Sequence, residues 1–119
     1  MNTKKVYYLS TCDTCKRILA DLNLSTDFTL QDIKTDPITT EQLEEMRALT
    51  DSYESLFSKR ARLYKELGLK DKSLTDKDYK NYILQHYTFL KRPVIINHQQ
   101  MFIGNSKKTV EAAKKSINE

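Results

Sequence analysis

A β-type run, a helix-spaced run and a second β-type run follow one another at the start of this chain, and that order limits its fold more than any other feature. Val6-Tyr7-Tyr8-Leu9 is the first run and stops at Ser10-Thr11. Ile18, Leu19 and Leu22, with Ala20 beside them, then fall at helical spacing. Ser10, with Asp13 three residues on, has the form of a capping box, which predicts a helix starting close to Cys12 and ending near Asn23. Phe28-Thr29-Leu30-Gln31-Asp32-Ile33 alternates apolar and polar, the mark of a half-buried strand, and Asp36-Pro37 breaks it. Strand, helix, strand implies a right-handed crossover between parallel strands.

The middle of the chain reads as helical. Thr39 with Gln42 caps a segment carrying Leu43, Met46 and Leu49. A second helix is expected from about Ser52 through Leu56, Phe57, Leu63, Tyr64 and Leu67, with Gly68 as its stop. Leu69 to Ser73 reads as an exposed loop. Thr75 with Asp78 caps a third helix holding Tyr79, Tyr82, Ile83 and His86. Val94-Ile95-Ile96 is then a buried strand, Asn97-His98-Gln99 a turn, and Gln100-Met101-Phe102-Ile103 its hairpin partner. Gly104-Asn105-Ser106 opens a last helix with Val110, Ala113 and Ile117. The expected fold class is α/β: a mixed four-stranded sheet packed with helices, in one domain over residues 1–119.

Composition agrees. At 119 residues, 39% apolar and 30% charged, the chain is long enough for a core and far from disordered classes. No apolar run reaches the ~18–20 residues of a membrane helix, and the polar start before Val6 has no secretory core, so a cytoplasmic location is expected. Two cysteines fit that compartment. The net charge of +4 is mildly basic and unclustered, so direct nucleic-acid binding is not expected.

Cys12 and Cys15 form a C-x-x-C where the first strand meets the first helix. Beside a βαβ pattern this spacing reads as a thiol–disulfide motif. Free N–H groups at a helix N-terminus favour an anion, which lowers the thiol pKa of Cys12 and makes it the nucleophile. Cys15 lies about one turn on and can resolve a mixed disulfide. Lys16 and Arg17 add positive charge, and Asp13 opposes them. Two other readings stand beside this one: Cys15 as a small buried apolar side chain, and zinc. A structural zinc site needs two further ligands, and His86 and His98 lack the spacing; they read as structural or surface residues, and no metal is expected. Arg92-Pro93 heads a buried strand, where a proline has no ladder amide to lose.

Together, these pieces resemble the arsenate reductase (ArsC)/Spx family of the thioredoxin-like superfamily. The resemblance runs through Val6 to Leu22 with the cysteine motif, Tyr64-Lys65-Glu66-Leu67-Gly68-Leu69, Leu90-Lys91-Arg92-Pro93-Val94-Ile95 and Ile103-Gly104. It implies a thioredoxin-like fold with a helical insertion between the second and third strands, at about 39–87. It also implies a cis Arg92–Pro93 bond with Pro93 facing Cys12, and anion binding by Arg92, helped by Arg60 and Lys16. Glutathione-dependent arsenate reductases carry three anion-holding arginines; here Ser58 and Gly104 occupy two of those places. The function implied is a thiol-dependent reductase with Cys12 as nucleophile and Cys15 resolving. Its partners would be a small thiol or oxyanion substrate, or glutaredoxin or thioredoxin, with no cofactor beyond glutathione as co-substrate. The alternative is an Spx-like redox-sensing regulator of transcription that binds RNA polymerase, through a basic segment such as Lys59-Arg60-Arg62-Lys65.

Overall fold

The first two β-type runs form a parallel pair, though in the second the burial expected from alternation is reversed, with Leu30 exposed and Gln31 buried. A computed structural model describes residues 3–118, with β1 at Lys4–Tyr8 and β2 at Thr29–Asp32. Their register sets Val6 beside Leu30 and Tyr8 beside Asp32. Between them runs α1, Asp13–Leu22, which ends on Asn23 in the left-handed conformation (φ 49°). The last part of the chain adds the hairpin of β3, Val94–Asn97, and β4, Gln100–Ile103, followed by α5, Lys107–Ile117. Both pairings of β3, with β1 and with β4, are antiparallel, and the sheet order is β2-β1-β3-β4. This is the mixed four-stranded sheet that the patterning predicts.

Contacts divide the chain into two compact units, Met1–Asp36 with Arg92–Glu119, and Pro37–Lys91. The first holds the sheet, α1 and α5. Its core joins Val6 of β1 and Ile95 of β3 to Ile18 and Leu22 of α1, Phe28 and Ala113. Leu19, Val110, Phe102 and Ile117 pack against this cluster. Each large apolar side chain so buried contributes about 1.5–3 kcal/mol relative to exposure.

The second unit lies in the chain between β2 and β3. Its longer helices are α2, Thr40–Ala48, and α4, Asp76–Gln85, and both open with the expected capping boxes, Thr39 with Gln42 and Thr75 with Asp78. Its centre is aromatic: Phe57 stacks on Phe89 at 5.2 Å between centroids and meets Tyr79 at 4.8 Å and Tyr64 at 5.8 Å.

Three local expectations are corrected. The helix expected over about 52–67 is instead a 3₁₀ turn at Glu54–Leu56 and a short α3 at Arg62–Glu66. Phe57 turns extended (φ −88°, ψ 130°) to bridge Leu90, and Ser58 N–H donates to Phe89 C=O at 2.7 Å. Those long-range bonds and the burial of Phe57 outweigh helical spacing. Leu69, expected in an exposed loop, is buried and starts a 3₁₀ turn at Leu69–Asp71. Ser10 does not cap α1: its N–H donates to the Asp32 carboxylate, and the N-cap position falls on Cys12. Among the described residues, no helix is long and apolar enough to cross a membrane.

Candidate active site

The turn between β1 and α1 places the thiols. Cys12 N–H donates to Leu9 C=O at 3.0 Å, closing a tight turn over Leu9 to Cys12. The chain then enters α1, and Lys16 N–H donates to Cys12 C=O at 3.2 Å. Cys12 is partly exposed and Cys15, in the first turn of the helix, is fully buried; both are free thiols.

Their surroundings separate them. Burial by itself would raise the pKa of Cys12, but four influences outweigh it and leave it lowered. These are the Cys15 N–H, the Cys15 thiol, the Arg92 guanidinium and the Thr14 N–H. The two N–H groups act on the thiolate as helix-end dipoles, without a formed capping hydrogen bond at the Cys12 side chain. Cys15 goes the other way. Burial, then the neighbouring Cys12 sulfur, push it up to about 11, against the Leu9 N–H and Arg92, which favour its thiolate. Near neutrality the arrangement therefore holds a thiolate-prone Cys12 beside a protonated Cys15 that can donate to it.

Arg92 is the one charged residue expected at the site that acts on both sulfurs. It is half-buried at the end of the segment leading into β3. The Arg92–Pro93 bond is cis, as the resemblance implies, and Pro93 is buried, its C=O accepting from Gly104 N–H at 2.9 Å. Lys16 follows Cys15 directly, with its side chain exposed. Arg60 is exposed and belongs to the second unit, in the stretch just before α3. Gly104 has φ +93°, a conformation that side-chain-bearing residues rarely adopt, so an arginine there would be strained whatever the space. His86 and His98 serve local structure. The His86 ring nitrogen accepts from Thr88 N–H at 3.0 Å, and His98, at φ 62° in the hairpin turn, donates its N–H to Thr3 C=O. Among the described residues, no group of three or more His, Cys, Asp or Glu is placed to hold a metal ion.

One participant escaped the sequence reading. The Asp32 carboxylate, at the end of β2, accepts from Ser10 N–H at 3.1 Å and from Lys34 N–H at 3.2 Å. The only hint in the sequence was an acidic residue closing a strand parallel to the one that leads into the cysteines.

The pattern that defines the ArsC family matches residues 7–113. The chain belongs to the ArsC family. Within reach of it are transcriptional regulators as well as reductases. The global transcriptional regulator Spx of Streptococcus pneumoniae is 26% identical over 103 residues, covering 85% of this chain and 77% of the regulator. Spx 1 of Bacillus cereus is 27% identical over 103 residues, covering 83% and 77%. In three dimensions, an arsenate reductase from Vibrio cholerae superposes with a TM-score of 0.74 at 20% identity, covering 93% of this chain and 98% of that one. At that identity the match speaks to the fold, which is the thioredoxin-like fold of the ArsC family.

Proposed function

We propose that this ArsC-family protein is a thiol-dependent reductase whose Cys12 and Cys15 exchange with a substrate disulfide. The observation that carries this reading is the pairing of a partly exposed Cys12 at the start of α1 with a buried Cys15 in its first turn, whose thiol pKa burial pushes up, both within the field of Arg92. The Cys12 thiolate attacks one substrate sulfur, a mixed disulfide forms, and the other substrate sulfur leaves as a thiolate that takes up a proton. Cys15 then gives up its proton and attacks the Cys12 sulfur. The Cys12–Cys15 disulfide forms and the second substrate thiol is released. Two electrons have passed to the substrate, and an external thiol such as glutathione, or glutaredoxin or thioredoxin, restores the dithiol. Arg92 holds an anionic group of the substrate beside the sulfur, as a guanidinium does well. Lys16 is proposed to assist it, and Pro93 to face Cys12.

The test is a redox titration of the purified protein, with alkylation and mass spectrometry, in wild type and Cys15→Ser. A reversible intramolecular disulfide with a defined potential in wild type, and a trapped mixed disulfide in Cys15→Ser, are expected. If no Cys12–Cys15 disulfide forms and Cys15→Ser changes nothing, the dithiol cycle is wrong.

A second reading rests on the likeness to Spx. In it the same thiol pair switches a surface that binds RNA polymerase. Pull-down of polymerase by the reduced and the oxidised protein separates the two: redox-dependent capture without turnover favours the regulator, and turnover without capture favours the enzyme.

A further inference from the structure

We infer that Asp32 is a positioning residue for the thiol pair, acting through the Leu9–Cys12 turn; the inference rests on the reading of Cys12 as the reactive thiol. Asp32 touches neither sulfur, but its carboxylate holds the backbone that does. Ser10 N–H donates to Asp32 Oδ1 at 3.1 Å, and the Ser10 hydroxyl, with that N–H, holds the Asp32 carboxyl below its ordinary range. Ser10 follows Leu9, whose C=O accepts from Cys12 N–H at 3.0 Å and whose N–H faces the Cys15 sulfur. Leu9 thus closes the turn that starts α1 and presents its N–H to the resolving thiol, and Asp32 holds the residue beside it.

Asp32 is itself well held. Its Oδ1 also takes Lys34 N–H at 3.2 Å, its C=O takes the Thr35 hydroxyl, and Ile33 N–H donates to Tyr8 C=O at 2.9 Å across the parallel pair. The carboxylate is therefore a rigid acceptor built on the sheet, and a site resting on a strand is more exact than one left to a loop. Bonds to an ionised acceptor are also the stronger kind. Removing the acceptor leaves the Ser10 donors without it and frees the turn to drift, and a small misplacement costs a reactive group much of its advantage.

The experiment measures Cys12 alkylation by iodoacetamide against pH, with the melting temperature of each variant alongside. Asp32→Ala is expected to slow alkylation at pH 7 by about threefold to tenfold and to move its midpoint upward, that fold-change being roughly half to one pKa unit. Asp32→Asn keeps an oxygen acceptor for Ser10 and should recover most of the rate. A lowered melting temperature with an unmoved midpoint would mean that Asp32 only stabilises the fold, and would overturn the inference. Should Asp32→Ala not fold, Ser10→Ala removes only the hydroxyl donor; about a twofold slowing supports the inference and an unchanged rate overturns it. Wild-type Cys12 reacting no faster than a cysteine of the unfolded chain is a different failure: it sinks the nucleophile reading, and this inference with it.

Discussion

Cys15 and Cys12 share neighbours but differ in solvent, and the difference has a thermodynamic consequence at high pH. The folded protein holds the Cys15 proton up to about 11, while the unfolded chain releases it near the ordinary thiol value, ~8.5. A raised folded pKa contributes stability that is complete below the unfolded value and is lost as pH climbs toward the folded one. Urea unfolding of the reduced protein should therefore show stability falling between about pH 9 and 11, by at most roughly 2 kcal/mol from this group. The fall should be shallower in Cys15→Ala, which lacks the group; equal slopes would mean that Cys15 is not held protonated by the fold. Arg92 acts on the same pair by charge. Arg92→Ala should raise the Cys12 alkylation midpoint by roughly half a unit, and Arg92→Lys should restore much of it, since a guanidinium beside a thiolate acts first as a positive charge. An unmoved midpoint in Arg92→Ala would exclude that role. Both cysteines and Arg92 were legible in the sequence because spacing and residue type carry their chemistry. Asp32 was not, because its partner Ser10 lies 22 positions away and only the parallel register brings them together.

The same four-residue pattern had different fates at three helix starts. At Thr39 and Thr75 the side chain accepts from the residue three positions on and the box closes. At Ser10 the donors are engaged by Asp32, so α1 begins on Cys12 without a side-chain cap, which leaves its first N–H groups to the thiolate. Local pattern predicts a cap only where no distant group competes for it. In α4, Thr75 N–H donates to Asp78 at 2.9 Å, and that bond, with the Thr75 hydroxyl, holds the Asp78 carboxyl below its ordinary value. Thr75→Ala should cost about 1 kcal/mol in urea unfolding, and the Asp78 pKa, followed by NMR, should rise toward normal. The turn after α3 supplies a cleaner backbone test. Gly68 has φ +64°, and nothing lies within 4 Å of where a Cβ would sit. Gly68→Ala should therefore lose about 1 kcal/mol from backbone strain alone; no loss would mean that the turn relaxes to another conformation.

At the scale of the molecule, β-type runs bounded by turn residues named the strands, although burial in β2 does not follow its apolar positions, with Leu30 exposed and Gln31 buried, and the family resemblance named the insertion. Apart from the cap expected at Ser10, the failures fell in 52–73, where side chains are buried by aromatic and long-range contacts that no helical or loop pattern encodes. Phe57 shows why. It reads as one position of a helix, yet it is extended, bridges Leu90, and meets Phe89, Tyr79, Tyr64 and Tyr82. Because contacts cluster into two units, each with its own buried side chains, damage to this aromatic centre should be felt first within Pro37–Lys91. Phe57→Ala removes a fully buried ring and should cost about 3–5 kcal/mol. Phe57→Leu keeps apolar volume but loses the ring pairings, and should cost less. Amide exchange in Phe57→Leu should rise most in Glu54–Leu56, Arg62–Glu66 and Asp76–Gln85, with β1 and β3 least affected. An equal rise in β1 and β3 would show that the sheet and the aromatic centre unfold as one cooperative body, with Phe57 supporting the thiol site from a distance.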